Sequence, residues 1–435
     1  MDNYSLGVTS INSYAHDNSV ALLKNGKILF AASEERYSRI KHDGSFPALA
    51  IKGAFSYTKV KPKSIKTVAV AFPRRDILSL LANRYFYEVA PFVLSILTRR
   101  NYKIFNDMVT LMSLFREKLT GGKKTEFLRG KKIIYVDHHL SHAASAYYTS
   151  GFAKCLSISV DAFGPEVSGR IRSGAVFLCG NAEIKETMSI PIYASLGNFF
   201  QSVTYSLGFK PGDGEGKTMG LAAYGNLKKL YRPIKPFCPS FNNGHWLPSR
   251  DWLSGLVTSM PQVSHLFKST RFGAFLEELL KKKKKEDIAA AAQRLLEEEL
   301  VGLVKYCIRK YPEYGNVCLS GGIFLNVKAN KKIIEIKGVD NVFVHPNTGD
   351  GGTALGAAFL ITPKRYLEKI VGKPLISCGL GESFADSQIL RVLKSNKNKI
   401  IFEKKNDIFS YTVDQILKGK VIGWFQGRSE WGPRA

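Results

Sequence analysis

The chain has 435 residues, with 63 lysines and arginines against 36 aspartates and glutamates, and its formal net charge is +27. At roughly 150 residues per domain, this length predicts about three folding units. With 45% hydrophobic and 23% charged residues, the composition is that of a globular protein with a large core and excludes a disordered chain. The longest apolar run, near 89–97, is shorter than the ~20 residues that a membrane-spanning helix needs, so we expect no membrane span.

The N-terminus and the cysteines indicate the cellular setting. The first residues lack the basic and apolar regions of a secretory signal, and the six cysteines include no CxxC pair. Both a disulfide scaffold and a Cys-ligated zinc site are therefore disfavoured, and we expect a cytoplasmic protein. The positive charge has two interpretations, binding of nucleic acid or anionic membrane and a surface rich in lysine. Because no RNP-like or helix-turn-helix pattern occurs, we expect no specific nucleic-acid partner and no membrane partner.

The first part of the chain predicts the order β-β-β-α-β. Asn25-Gly26 lies between two β-prone runs and is a strong hairpin signal. Predicted strands cover 6–10, 18–24, 27–33 and 67–72, and a predicted helix covers 48–60. A basic, helix-rich stretch at about 75–132 follows and is interpreted as an insertion.

The same order recurs in the second part. Predicted strands cover 155–160, 173–179, 183–190, 316–319 and 341–344, with helices at 196–207 and 286–311 and a second hairpin turn at Gly180-Asn181. Two β-β-β-α-β-α halves in tandem predict an α/β fold of the actin-like ATPase type, as in actin, sugar kinases and heat-shock ATPases, which hold nucleotide between their halves. Such a topology does not by itself define a function. We expect the halves at 1–152 and 153–362 and a further α/β segment at 363–435, which contains a strand at 421–425.

Three of the eight histidines lie within five residues, in the segment Asp137-His138-His139-Leu140-Ser141-His142. His138 and His142 are four residues apart, so on a helix they project from one face, a spacing suited to a shared metal ion. Imidazole is a common ligand of zinc- and iron-like ions. The alternative is a pair of ordinary hydrogen-bonded histidines at a helix start, and spacing alone does not decide between the two. His139 points elsewhere and is interpreted as structural.

Gly-rich turns that open helices follow several predicted strands. Asp350 lies in such a turn, before a helix at 353–359, and is a candidate metal ligand, a candidate carboxylate beside phosphate, or simply the helix N-cap. Ser320-Gly321-Gly322 and the loop Asp161-Ala162-Phe163-Gly164 are two further candidates, because backbone N–H groups at such turns can approach an anion. Together these turns predict a phosphate-binding cleft in the second half.

Polar residues near the N-terminus add further candidates. His16, beside Asp17, lies on a turn that faces the cleft in an actin-like topology. It is a candidate general base for a hydroxyl; the alternative is a turn-stabilising pair, with Asp17 beside Asn18. The dense polar run 34–42 is either a solvated face or an anion-binding edge.

The segment 211–218 resembles a P-loop but has Pro211 where the pattern requires glycine, and it precedes no strong helix. We therefore interpret it as a flexible loop, with Glu215 and Lys217 as possible site residues.

The chain resembles the O-carbamoyltransferases of antibiotic, toxin and nodulation-factor biosynthesis, the NodU/CmcH type. The matching segments are ordered along the whole chain, at 16–19, 34–42, 138–143, 214–222, 320–326, 345–357 and 423–435. Such an ordered set is far more specific than a lone motif. The resemblance implies an actin-like N-terminal domain followed by a YrdC-like C-terminal domain. This chain would hold only the start of the latter, because it stops at Ala435 inside the last motif.

In that family, carbamoyl phosphate and ATP give a carbamoyl-adenylate, whose carbamoyl group passes to a hydroxyl of an acceptor. The resemblance implies a divalent metal, iron-like with zinc or magnesium as alternatives, on His138, His142 and Asp350. It implies His16 as the base and Lys41 as a second catalytic candidate. The residues expected at the nucleotide or carbamoyl-adenylate are Asp161, Gly164, Glu215, Lys217, Gly321, Gly322, Asn326 and Gly351, and Arg434 is expected on the carbamoyl phosphate side. One departure is Ala162, where the family usually has glycine.

The sequence therefore predicts an ATP-dependent O-carbamoyltransferase whose N-terminal domain performs the transfer to a small-molecule acceptor. One alternative is a nucleotide- and metal-binding domain without turnover, because the C-terminal half would be missing. Another is an actin-like small-molecule kinase, which the HxxxH cluster disfavours, since phosphoryl transfer on this fold normally uses Mg²⁺ and carboxylates. The expected partners are ATP, carbamoyl phosphate and the acceptor, and a homodimer is left open.

Overall fold

The computed structural model describes residues 2–11, 16–72, 126–258 and 264–433. Residues 73–125, which include most of the insertion predicted at about 75–132, lie outside the described residues, and so does Arg434. The described part is built on two five-stranded mixed sheets. Within it, no helix has the length and apolarity that crossing a bilayer demands.

The first sheet consists of β1 (Tyr4–Val8), β2 (Ser19–Lys24), β3 (Lys27–Ser33), β4 (Thr67–Val70) and β5 (Lys132–Tyr135), in the order β3-β2-β1-β4-β5. The first three strands pair antiparallel, and β4 and β5 continue the sheet in parallel from β1. The turn between β2 and β3 is the predicted Asn25-Gly26, with φ of 51° and 79°, as a tight hairpin requires. The short edge strand β5 was not predicted.

The second sheet repeats this topology. Its strands are β6 (Lys154–Pro165), β7 (Ile171–Gly180), β8 (Glu183–Pro191), β11 (Asn316–Ser320) and β12 (Asn341–Val344), while β9 (Ser240–Asn242) and β10 (His245–Leu247) form a separate hairpin. The order is β8-β7-β6-β11-β12, again with three antiparallel strands followed by two parallel ones. The duplicated α/β architecture of the actin-like type is thereby confirmed.

Three local predictions were wrong. The expected loop 161–164 is part of β6, whose pairing with β7 is irregular between Val160 and Gly164. The β7–β8 turn lies at Asn181-Ala182, one residue later than expected, and both residues have positive φ. The expected strand at 421–425 does not form.

Helices cover both sheets and separate them. In chain order they are α1 (Glu35–Ser38), α2 (Ala48–Thr58), α3 (His138–Ser150), α4 (Leu196–Ser206), α5 (Glu215–Leu221), α6 (Tyr231–Ile234), α7 (Trp252–Thr258), α8 (Arg271–Lys282), α9 (Lys285–Lys310), α10 (Val327–Ile334), α11 (Thr353–Leu360), α12 (Lys364–Leu367), α13 (Asp386–Ser395) and α14 (Ile408–Leu417). The 26-residue α9 confirms the long amphipathic helix. The helix α5 begins inside the segment expected to precede no strong helix, so that expectation was wrong.

The two halves meet at a helix pair. α3 packs on β6 and β11 of the second sheet, α11 packs on β1 and β2 of the first, and the two helices pack against each other. Their contact is close, because a Cβ placed on Gly356 would lie 1.7 Å from the carbonyl oxygen of Ser141. Glycine at this position lets the two backbones approach.

The C-terminal segment is attached to the first sheet at two short stretches, 378–381 and 428–432. They are joined by the Gly379–Glu430 bridge and by a hydrogen bond from Gly381 N to Ser429 O at 2.8 Å. Between the two stretches, α13 and α14 lie on the surface, and no side chain from 383 to 427 is buried.

The contact with the first sheet is made at its edge strand β3. Ala31 N donates to Leu380 O at 3.0 Å, and Arg428 Nη2 donates to Leu29 O at 2.8 Å. The indole of Trp431 is buried, with 2% of its surface exposed. The stretches 378–381 and 428–432 therefore cover an edge that would otherwise be unpaired.

Candidate functional site

The first turn of α3 carries the histidine cluster. Asp137 precedes it with extended backbone, and its Oδ1 accepts from Val167 N at 2.6 Å. His138 and His142 follow one helical turn apart and are fully buried. Their Nε2 atoms lie 3.1 Å from each other, so the helical spacing does bring the two imidazoles together.

Two carboxylates from the second sheet complete this cluster. Asp161 lies in β6, and its Oδ2 is 3.3 Å from His142 Nε2 and 3.8 Å from His138 Nε2. Asp350 lies in the turn after β12, and its Oδ1 is 3.6 Å from His138 Nε2 and 3.8 Å from His142 Nε2. The helix N-cap alternative for Asp350 does not hold, because Gly352 occupies that position at α11.

The four donor atoms fit a divalent cation. They all lie within 4.8 Å of one another, and ligands bound at about 2.1 Å to one ion lie roughly 3.0–3.4 Å apart in octahedral or tetrahedral geometry. Asp161 Oδ2 is buried and has no hydrogen-bond partner among the described residues. Two imidazoles with two carboxylates are a ligand set for zinc- or iron-like ions. Asp161, expected beside the nucleotide, thus lies within this cluster.

Without a cation the cluster retains protons. Burial disfavours the charged forms, but the contacts with Asp161 and Asp350 outweigh it and raise the pKa of His142 to about 9. Burial likewise opposes ionisation of Asp161, but His138 and His142 hold its pKa well below its usual range. A cation must displace the proton of His142, so its affinity will rise with pH.

His139 is turned away from this cluster. Its Nε2 donates to Arg172 O at 3.1 Å, and its Nδ1 accepts from Ser159 Oγ at 3.1 Å. Burial, followed by the neighbouring histidines, holds the pKa of His139 well below its usual value, so the ring is neutral. His139 therefore ties α3 to the second sheet.

The glycine turns surround the cation cluster. A Cβ on Gly164 would lie 2.2 Å from His138 Cδ2, and one on Gly322 would lie 3.0 Å from Asp161 Oδ1. Gly321 has a φ of 96°, which favours glycine. A Cβ on Gly351 would meet Asn347 Nδ2 at 2.8 Å. The structure thus places the four predicted nucleotide-side glycines beside the cluster, where protein atoms pack too closely to leave ordinary room for a Cβ.

Other predicted residues have different neighbours. Asn326 caps α10 and exchanges two hydrogen bonds with the amide of Gln293, at 2.8 and 2.9 Å. Lys41 Nζ lies 3.6 Å from Glu35 Oε2.

The two predicted residues of α5 also contact their own surroundings. Glu215 Oε1 accepts from Gly212 N at 2.8 Å, and Lys217 Nζ is 5.9 Å from the ring centroid of Phe209. Residues 211–214 therefore form a turn that Glu215, the first residue of α5, closes, and the predicted loop is wrong for 215–218.

His16 lies at the edge of the cation cluster, with Nε2 3.8 Å from Asp350 Oδ2. Its Nδ1 donates to Asp17 Oδ2 at 2.7 Å, and the other oxygen of Asp17 accepts from His42 Nδ1 at 2.7 Å. His42 Nε2 lies 3.4 Å from Asp213 Oδ1. The sequence did not identify Asp17, His42 and Asp213 as functional residues, because they come from three separate loops and share no local spacing.

The polar run 34–42 is buried at its start, whereas residues 39–41 are exposed. Glu34 is 2% exposed, and its carboxylate accepts from Leu49 N at 3.0 Å and from Ala50 N at 2.8 Å. These are free N–H groups at the start of α2, where a carboxylate is favourable. Glu34 therefore fixes α2 against β3.

Comparisons with known proteins identify the family of this chain. The family model described as Carbamoyltransferase N-terminus matches residues 6–359. The protein sll1178 of Synechocystis sp. is 30% identical over 98% of this chain and 69% of its own length. The nodulation protein NolNO of Sinorhizobium fredii is 28% identical over 98% of this chain and 58% of its own length. A 3'-hydroxymethylcephem-O-carbamoyltransferase of Streptomyces clavuligerus is 30% identical over 29% of this chain and 22% of its own length.

Proposed function

Because the chain belongs to the carbamoyltransferase family, we propose that it transfers a carbamoyl group to a hydroxyl of a small-molecule acceptor. The donor is a carbamoyl-adenylate, formed from carbamoyl phosphate and ATP. The observation that carries the proposal is the convergence of four buried metal donors with an exposed imidazole, His16, at 3.8 Å from Asp350. This arrangement provides a cation site and a base side by side.

His138, His142, Asp161 and Asp350 would hold the divalent cation. Bound there, the cation would act as a Lewis acid and anchor for phosphate or carbamoyl oxygens. The glycine turns at 321–322 and 351 lie beside these donors, and their backbone N–H groups are the ones that would approach the nucleotide phosphates.

His16 accepts the proton of the acceptor hydroxyl. Its Nδ1–H is held by Asp17, so Nε2 is the nitrogen that faces the acceptor. The hydroxyl oxygen attacks the carbamoyl carbon, the bond from that carbon to the phosphate oxygen breaks, and AMP leaves with the electron pair.

The protonation of His16 depends on Asp350. Although the His16 side chain is 60% exposed, partial desolvation of its ring opposes the charge; the carboxylates of Asp350 and Asp17 outweigh this and raise the pKa of His16 to about 10. A cation bound at Asp350 would neutralise the charge of that carboxylate, so Asp350 would favour the imidazolium less and the pKa of His16 would fall.

The test uses the 435-residue chain with synthetic carbamoyl-adenylate labelled in the carbamoyl carbon, a panel of hydroxyl compounds and added Fe²⁺, Zn²⁺ or Mg²⁺. We expect acceptor-dependent AMP release, labelled product, and loss of both in His16→Ala. The matched control is His245→Ala, since His245 is an exposed histidine on the β9–β10 hairpin.

A parallel reaction with ATP and carbamoyl phosphate separates activation from transfer. Product from the adenylate alone would assign this chain the transfer step. ADP in place of AMP would instead indicate phosphoryl transfer to the acceptor, and nucleotide binding with no product from either donor would contradict the proposal.

A further inference from the structure

The carboxylate of Asp17 is shared between two imidazoles. Oδ2 accepts from His16 Nδ1 and Oδ1 accepts from His42 Nδ1, each at 2.7 Å. Both lengths are those of short, charge-assisted hydrogen bonds. Since each oxygen has its own donor, the orientation of the carboxylate is set by both rings together, and His42 determines where Asp17 holds His16.

His42 is itself held from three directions. Its backbone N–H donates to Glu35 Oε2 at 3.0 Å, its Nδ1 donates to Asp17, and its Nε2 lies 3.4 Å from Asp213 Oδ1. Asp17 and His42 both have left-handed backbone, with φ of 61° and 57°. Non-glycine residues adopt this conformation at a cost of order 1–3 kcal/mol and tend to do so at functional sites.

The loops that carry the two histidines are joined independently of the imidazoles. Asn18 N donates to Asp43 O at 2.9 Å, and Asn18 Nδ2 donates to Gly44 O at 2.8 Å and Ser45 O at 2.7 Å. Asn18 Oδ1 accepts from Ser10 N at 2.7 Å. This fully buried asparagine provides the structural connection, so His42 is not needed to keep the loops together.

We propose that His42 is a positioning residue for the transfer reaction, which fixes the Asp17 carboxylate and through it the ring of His16. The inference rests on the proposed function of His16 as the base. His42 is not among the four residues of the cation cluster, and its ring packs edge-to-face on that of His16, with the ring centroids 6.3 Å apart. Its contribution is to hold Nε2 of His16 in one direction, and a misplacement of about 1 Å at such a group can lower a rate by roughly a hundredfold.

Two substitutions separate positioning from folding. His42→Gly removes the ring and tolerates positive φ, while His42→Asn also tolerates positive φ and places an amide N–H where Nδ1–H was. We expect kcat with carbamoyl-adenylate to fall about ten- to a hundredfold in His42→Gly with KM for the donor unchanged, and most of the loss to be restored in His42→Asn. Equal kcat in the glycine variant and the wild type, or equal loss in both variants, would overturn the proposal.

A measurement without turnover distinguishes this inference from the proposed function. In ¹⁵N-histidine-labelled protein, the two N–H groups bound to Asp17 should give two downfield imidazole protons. The signal of His16 should persist in His42→Asn and broaden or vanish in His42→Gly. An unchanged His16 signal in His42→Gly would refute positioning, whereas a wild-type chain that transfers no carbamoyl group but shows this pattern would refute only the function.

Discussion

Gly356 lies at the contact between α11 and α3, the helix pair at which the two halves meet. A Cβ at this position would be 1.7 Å from Ser141 O and 2.6 Å from Ser141 C. The obstacle is backbone inside a helix, which cannot rotate away as a flexible side chain would. Gly356→Ala must therefore push α11 away from α3.

The magnitude follows from that distance. Since non-bonded Cβ contacts below 3.0 Å essentially never occur, the two helices must move apart by roughly 1.3 Å or accept an equivalent strain. We expect the cost in unfolding free energy to lie at the upper end of the ~1–3 kcal/mol typical of overpacking. α3 carries His138 and His142, and Asp350 immediately precedes α11. The same displacement lengthens the 3.6 and 3.8 Å separations between Asp350 and the imidazoles, whereas metal–ligand distances tolerate only about 0.2 Å.

We therefore expect Gly356→Ala to lower the free energy of unfolding by about 3 kcal/mol in urea denaturation. Its affinity for Zn²⁺ in equilibrium dialysis should fall at least tenfold. The control is Gly302→Ala within α9, where the nearest atom lies 4.0 Å away, and which should be neutral or stabilising by up to ~1 kcal/mol. Wild-type unfolding and Zn²⁺ affinity in Gly356→Ala would refute the close contact of the two helices.

Three further outcomes are expected. His138→Ala should lose most of the Zn²⁺ bound by the purified wild type in elemental analysis, and equal content would exclude His138 as a ligand. Burial lowers the pKa of His345 from 6.5 to about 4, although its bond to Asn347 O opposes this. The unfolded chain therefore takes up a proton between pH 6.5 and 4 that the folded chain does not, and the free energy of unfolding falls by up to about 3 kcal/mol as pH drops through that window. His345→Asn, which can keep the bond to Asn347, should flatten this pH dependence, and parallel curves would contradict it. Arg428→Ala should speed trypsin cleavage between 382 and 427 at least severalfold through loss of its bonds to Leu29 and Gly381; an unchanged rate would show that the remaining contacts suffice.

Local patterns predicted the parts of the molecule that depend on neighbours in sequence. The β2–β3 hairpin follows from Asn25-Gly26, and the meeting of His138 with His142 follows from helical spacing. Strand pairing overrode local signals elsewhere. The segment Asp161-Ala162-Phe163-Gly164 has the composition of a turn but extends β6 alongside β7, which carries Asp161 to the histidines.

Residues that meet only in three dimensions were beyond such reasoning. The contact of Asp17, His42 and Asp213 joins three loops, and no spacing in the chain predicts it. The polar run that begins at Glu34 is typical of a solvated surface. Glu34 is nevertheless buried, because two free N–H groups of α2 satisfy its carboxylate.

The two ends of the surface segment between 382 and 428 lie side by side. Ser429 N donates to Glu382 O at 2.7 Å, and Gly381 N donates to Ser429 O at 2.8 Å, so the segment leaves and rejoins the molecule at almost one point. None of its side chains from 383 to 427 contributes to a core. A short linker could therefore replace α13 and α14, or another domain could be inserted between 382 and 429, with loss of the hydrogen bond between Tyr57 Oη and Ser383 Oγ and without removing a core side chain.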